Sequence, residues 1–230
     1  MQKPHVLVLN ILFETPLRNS FDNRMAEVFG PVALEYDTAY LEDLENIADT
    51  DKYTHLLISG STASATEEKD WYPALDSIIH RFRSEKKAIL GICFGHQFLI
   101  RHILGKDHVR KSATPEIGWT KIKLSETPAF DAVGSIKSAV FHYDEVFDLD
   151  SRFEITASSD RCKIHGFKMK EEKIWGIQFH PDFMYEDVHE FSEDIRKNDP
   201  QFEEIHCQTE TSATEFKKND YILKKWIEVS

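Results

Sequence analysis

Three cysteines and eleven histidines supply the side chains best suited to nucleophilic and proton-transfer chemistry in this 230-residue chain. Of the cysteines, Cys93 alone has a setting that suggests use. Gly91-Ile92-Cys93-Phe94-Gly95 follows the apolar run Lys87–Ile92 and precedes a helical pattern from about Phe94 to Leu104. Glycines around the central residue allow a strand to turn sharply into a helix where the backbone is crowded. Such an elbow lifts the sulfur above the carboxyl end of a sheet, and the helix N-terminus favours a thiolate. The backbone N–H of Phe94 would point into the same space and could stabilise an oxyanion. Cys162 and Cys207 lack that context and read as structural or incidental. Cys93-x-x-His96 has a metal-like spacing, but a structural zinc takes four ligands and no companion pair lies nearby, so no metal is expected.

A cysteine nucleophile needs a base. His96 and His102 fall on the helix after the elbow and read as packed or surface residues. His180 ends the apolar strand Ile174–Phe179 and precedes Pro181-Asp182. A parallel strand ending there brings the imidazole to the same carboxyl edge as Cys93, where open α/β sheets place their sites. Asp182 could hold the other ring nitrogen and fix its tautomer. The plain alternative is a strand-end histidine before a turn-forming Pro-Asp.

The elements that must position these groups alternate between strand and helix. Val6–Ile11, Val32–Tyr36, His55–Ser59 and Lys87–Ile92 read as buried strands. Helices are expected after Ser20, with Phe21, Met25 and Val28 on one face, and between Thr66 and Glu85, with Trp71, Leu75, Ile78, Ile79 and Phe82 in register. This alternation predicts an α/β fold: an open, doubly wound, mostly parallel sheet. From Gly118 the texture changes. Trp119–Leu124 and part of Arg152–Lys170 alternate with period two and predict an added antiparallel ribbon. The polar stretch Glu186–Gln208 includes an acidic run expected to be a solvated helix face, and Thr214–Val229 looks amphipathic.

The sequence is identified as similar to the class I (triad) glutamine amidotransferases, a flavodoxin-like fold, through Gly91–Gln97 together with Gly176-Ile177-Gln178-Phe179-His180-Pro181-Asp182. It is most similar to stand-alone members resembling the amidotransferase domain of GMP synthase. The resemblance implies Cys93 as nucleophile, His180 as base and Asp182 as triad acid, where the family normally has Glu. Leu57–Ser64 resembles the oxyanion strand, which implies the N–H at Gly60 as second donor beside Phe94; Gly60-Ser61-Thr62 departs from the usual Gly-Gly-Pro. Phe141–Val146 resembles the family's Ser-His-Gly-Asp segment, which implies Tyr143 and Asp144 at the substrate's amino-acid head, with Tyr143 replacing Gly. Gln97 matches a family glutamine that contacts the same head.

The implied reaction is attack of Cys93 on a γ-glutamyl amide, with release of ammonia and then of glutamate, without metal or organic cofactor. The substrate is glutamine, with γ-glutamyl peptides or a non-catalytic regulatory role as alternatives. A separate ammonia-accepting synthase subunit is a possible partner, because the residues after the last motif are too few for a synthase. One domain is expected over residues 1–230, with the motifs in 6–183 and a helical extension in 184–230. Net charge of -12 argues against nucleic acid. No apolar run approaches the ~20 residues of a bilayer span, and the N-terminus has no leader pattern, so a cytoplasmic protein is expected.

Overall fold

In the computed structural model, which describes residues 3–32, 34–125 and 134–229, ten strands form one sheet. Its parallel half runs β2 (Glu35–Tyr40), β1 (His5–Asn10), β3 (His55–Ile58), β4 (Ala88–Ile92) and β9 (Ile174–Ile177). Successive strand side chains point to opposite faces, and β1 divides two cores accordingly. Val6 and Val8 join Phe21, Met25 and Val28 of helix α1 (Thr15–Phe29) and Leu223 and Trp226 of α7 (Asp220–Val229). Leu7 and Leu9 join α2 (Tyr72–Ser84) and α3 (Phe94–Leu104), through Leu75, Ile79, Phe82 and Phe98. Each fully buried large aliphatic side chain contributes about 1.5–3 kcal/mol, so both helical layers are held firmly to the sheet.

Beyond β9 the sheet turns antiparallel. The strands β8 (Gly166–Met169), β7 (Phe153–Ser158), β5 (Val109–Leu124) and β6 (Gly134–Val146) follow one another, and β10 (His206–Gln208) lies parallel to β5. The expected ribbon is therefore half of the sheet. Helices α4 (Asp187–Asn198) and α5 (Phe202–Ile205) cover this half, where Val188, Phe202 and Ile205 pack on Ile117, Ala139 and Phe141. The short α6 (Ala213–Phe216) leads into α7, and Phe216, Leu223, Trp226 and Ile227 are all buried, as the amphipathic pattern predicts.

Several boundaries differ from the sequence reading. Helix α1 begins at Thr15, so Ser20 lies inside it and does not cap it; its hydroxyl donates to Asp187 instead. Pro16 explains the earlier start, because a fixed φ and a missing N–H suit the first turn. Helix α2 likewise begins at Tyr72 with Pro73 in its first turn, leaving Thr66–Trp71 outside. Strand β2 is shifted to Glu35–Tyr40, and Ala33 of the expected Val32–Tyr36 strand lies outside the described residues. Among the described residues no helix is long and apolar enough to cross a membrane.

Candidate active site

Cys93 stands between β4 and α3 with φ 50° and ψ -102°, a backbone conformation that L-residues rarely adopt. Such strain costs about 1–3 kcal/mol and persists only where the surroundings enforce it. Here they do. The Cys93 N–H donates to Ile177 O at 2.8 Å, and the Cys93 carbonyl accepts from Gln97 N at 3.0 Å. A Cβ on Gly91 would come within 2.4 Å of the Gly95 carbonyl, and one on Gly95 within 2.5 Å of Ile58 O. Both glycines are therefore required by close backbone approach. The Sγ is buried, 3.5 Å from Phe141 O.

The register of the parallel half brings the second group to the first. Ile92 is level with Ile177, and the chain continues through Gln178 and Phe179 to His180, whose N–H donates to Ala139 O at 2.8 Å. His180 Nδ1 contacts Asp182 Oδ1 at 3.0 Å, and both side chains are buried. Nε2 has no hydrogen-bond partner among the described residues. Burial opposes the imidazolium, yet the charges of Asp182 and Cys93 outweigh it and raise the His180 pKa to about 10. Arg24, buried in α1, fixes the turn by donating from Nε to Pro181 O at 3.0 Å while pairing with Asp220 of α7. Gly60 is wedged between the two reactive groups: a Cβ there would lie 3.1 Å from His180 Cε1 and 3.5 Å from Cys93 Cβ. Ser61 Oγ donates to Ile11 O at 3.1 Å and accepts from Ala63 N at 3.2 Å, which fixes the loop after Gly60.

A cavity of about 580 Å³ opens over these residues and includes Cys93, His180, Asp182, Gly60, Gln97, Tyr143 and Asp144 in its lining. Each of these carries a signal in the sequence; Phe94 is not in the lining, and its side chain packs with Tyr72 and Phe98. Their engagement differs from expectation in two places. The Gln97 amide donates to Asp144 O at 2.9 Å and to Gln178 Oε1 at 3.0 Å, so both of its hydrogens are committed to protein acceptors. Tyr143 directs its hydroxyl to Asp199, just beyond α4, and so ties β6 to the C-terminal segment. Burial and then Asp199 raise the Tyr143 pKa, which keeps the hydroxyl protonated.

Two features of the cavity carry no sequence signal. Lys111 pairs with Asp144 at 2.8 Å because the two are directly opposite in the β5–β6 ladder. No motif marks it; only the antiparallel register, invisible in a single sequence, brings it there. Asp194, Ile195, Asn198, Asp199 and Pro200 also line the cavity, so the segment read as an extension beyond the motifs forms one wall. The acidic face of α4 is thus only partly given to solvent.

Cys162, Cys207, His96 and His102 do not line the cavity. Burial, followed by Glu116, pushes the Cys162 thiol up to about 12, and Cys207 is raised by the same two causes. Neither favours a thiolate. His96 is fully buried against Phe167, ring centroids 5.0 Å apart, and burial, then His165, lowers its pKa to about 3. His102 pairs with Asp76 at 2.8 Å near the surface.

The profile of the family described as glutamine amidotransferase class-I matches residues 18–192. The chain is 29% identical over 211 residues to gamma-glutamyl peptidase 2 of Arabidopsis thaliana, covering 89% of this chain and 84% of that protein. It is 30% identical over 169 residues to a subunit of the glutamine-hydrolyzing GMP synthase of Thermoplasma acidophilum, covering 72% of this chain and 80% of that subunit. Among solved structures, a glutamine amidotransferase from Thermotoga maritima superposes with a TM-score of 0.76 at 19% identity, over 100% of this chain and 98% of that one, a likeness of fold. With an elbow cysteine and a strand-end histidine inside the matched span, the chain belongs to the class-I glutamine amidotransferase family.

Proposed function

We propose that the chain hydrolyses γ-glutamyl amides, with Cys93 as nucleophile, His180 as proton carrier and Asp182 as the group that orients and charges the imidazole. The observation that carries this reading is the division of the His180 ring: Nδ1 is held by Asp182 at 3.0 Å, while Nε2 is unpartnered and close enough to Cys93 for that residue to act on its charge. A thiolate–imidazolium pair follows from that arrangement. The thiolate attacks the amide carbonyl, and the oxyanion is met by the Phe94 N–H, which has no intrahelical acceptor at the first turn of α3. The Gly60 N–H is the second donor. His180 Nε2–H then protonates the departing amine as the C–N bond breaks, leaving a γ-glutamyl thioester. The same nitrogen removes a proton from water, whose attack releases glutamate and restores the thiolate. Lys111 and Asp144, opposite charges on one cavity wall, suit the α-carboxylate and α-amino groups of the glutamyl head. Gln97 positions the Asp144 carbonyl.

Glutamine is the simplest substrate, with ammonia as product; the partner it requires is then a separate synthase that consumes the ammonia. A second reading has a specific observation behind it. The cavity of about 580 Å³ falls in the ~300–1,000 Å³ range of sites that hold drug-sized ligands, which are larger than free glutamine. Phe183 and Phe191 line that space beside His180, the group that must stand over the leaving amine. A γ-glutamyl peptide, with an amino acid or peptide in place of ammonia, fills it better. Steady-state assays of ammonia release from glutamine and amine release from γ-glutamyl dipeptides test both readings. Turnover of neither, by protein that retains its fold, returns the chain to a non-catalytic role.

A further inference from the structure

On the antiparallel half of the sheet, four side chains that the proposed chemistry does not use converge in the interior. Glu116 of β5 lies opposite His142 of β6 in the ladder, and the turn between β7 and β8 adds Cys162 and His165. All four are at most 2% exposed, and one donor atom from each lies within 4.8 Å of the others. Cys162-Lys163-Ile164-His165 is a Cys-x-x-His pair, the spacing by which a tight turn presents two ligands to one ion.

Proton bookkeeping points to a cation at the centre. His142 Nδ1 is 3.1 Å from the Asp144 carbonyl, which can only accept, so Nδ1 carries the ring's hydrogen. In a neutral ring Nε2 then presents a lone pair toward Glu116 Oε2, 3.2 Å away. The same carboxylate oxygen takes His165 Nε2 at 2.6 Å, and Ser159 Oγ donates to both carboxylate oxygens. His165 Nδ1 has no partner among the described residues, so the ring's proton sits on Nε2, donating to Glu116, and passes to Nδ1 if Nε2 takes a metal. A lone pair facing a buried carboxylate leaves room for one cation between them, a shared proton or a metal ion.

We propose that Glu116, His142, Cys162 and His165 form a structural zinc site. Two neutral imidazoles, one carboxylate and one thiolate are borderline-soft donors of the kind zinc takes, and their two negative charges cancel those of the ion in a site with no room for a counterion. Tetrahedral bonds of about 2.0–2.3 Å put ligand atoms roughly 3.3–3.8 Å apart, so Glu116 and His165, 2.6 Å apart, separate slightly on loading while the other donors, all within 4.8 Å, draw in. The Asp144 carbonyl supplies the outer contact that orients a histidine ligand. Glu116 also lines a surface depression with Arg161 and Cys207, which gives the ion a way in. Zinc would clamp β5, β6 and the β7–β8 turn behind Asp144, and loading proceeds with release of the Cys162 thiol proton to solvent.

The test uses the full chain, incubated with zinc, freed of loose ion by a weak chelator, and read by elemental mass spectrometry and thermal unfolding. About one zinc per chain and a raised Tm are expected, with cobalt substitution giving the intense visible bands of a tetrahedral sulfur-containing site. Cys162→Ser and His165→Gln should each cut retained zinc at least tenfold, while Cys93→Ser and Cys207→Ser retain it. If the wild-type chain holds no zinc and its Tm does not move, the proposal fails. It fails equally if folded Cys162→Ser and His165→Gln variants retain zinc as the wild type does.

Discussion

Asp182 Oδ1 reaches His180 Nδ1 at 3.0 Å although only Pro181 separates the two residues in sequence. The aspartate reaches the imidazole within one tight turn, whose Pro181 carbonyl is held by Arg24 Nε of α1. Asp182→Asn keeps the size but loses the charge, and should lower turnover at least ~10-fold, since general acid–base catalysis contributes ~100-fold or more when the imidazole is correctly poised. Asp182→Glu should retain more activity than the Asn variant. Steady-state kinetics on both decide this; wild-type turnover in the Asn variant would make Asp182 a turn residue and the site a Cys-His dyad.

The raised His180 pKa predicts a pH dependence of stability with a definite sign. The folded value is about 10, against 6.5 for an unperturbed histidine. A group bound more tightly to its proton in the native state contributes stability that is complete below about 6.5 and is lost as pH rises toward 10. Urea midpoints measured from pH 6 to pH 10 should therefore fall, and Asp182→Asn should flatten that fall by removing the largest charge that raises the value.

Much of this architecture is legible in the sequence. Gly91, Cys93 and Gly95 announce the elbow because close backbone contacts admit only glycine at the flanks, and His180 is marked by its place at the end of an apolar run. Helix α3 matches its expected span from Phe94 to Leu104, since its apolar face and bounding glycines agree. What stays hidden depends on long-range pairing. Lys111 joins Asp144 only through the β5–β6 register, and α4 reaches the cavity only because Val188 packs against Ile117, Ala139 and Phe141. For helix α1, Ser20 resembles a cap and suggests too late a start, whereas Pro16 sets the true one.

Gly60 and Gly91 should respond differently to an added methyl group. Gly60→Ala puts a Cβ 3.1 Å from the His180 ring, a contact relieved by a small ring shift, so turnover should drop about tenfold with little change in Tm. Gly91→Ala meets the Gly95 backbone at 2.4 Å and has nowhere to go. It should destabilise by more than ~2 kcal/mol or prevent folding. Thermal melts beside kinetics separate the two.

Lys111 is more than half exposed and pairs with Asp144 at the cavity wall, so its removal should spare the fold. Lys111→Ala should raise KM for glutamine or a γ-glutamyl dipeptide about tenfold, the loss of one charge-assisted contact of ~1.5 kcal/mol, and leave kcat within about twofold. A fall in kcat at unchanged KM would remove Lys111 from the substrate's head group.

Covalent labelling is the most direct test for a γ-glutamyl thioester at Cys93. A diazo-ketone analogue of glutamine, followed by peptide mass spectrometry, should modify the peptide carrying Cys93 first and stoichiometrically, with glutamine or the preferred γ-glutamyl peptide protecting it. Labelling should fail in Cys93→Ser. Preferential modification of Cys162 or Cys207, or substrate turnover that persists in Cys93→Ser, would contradict the assignment of the elbow cysteine as nucleophile.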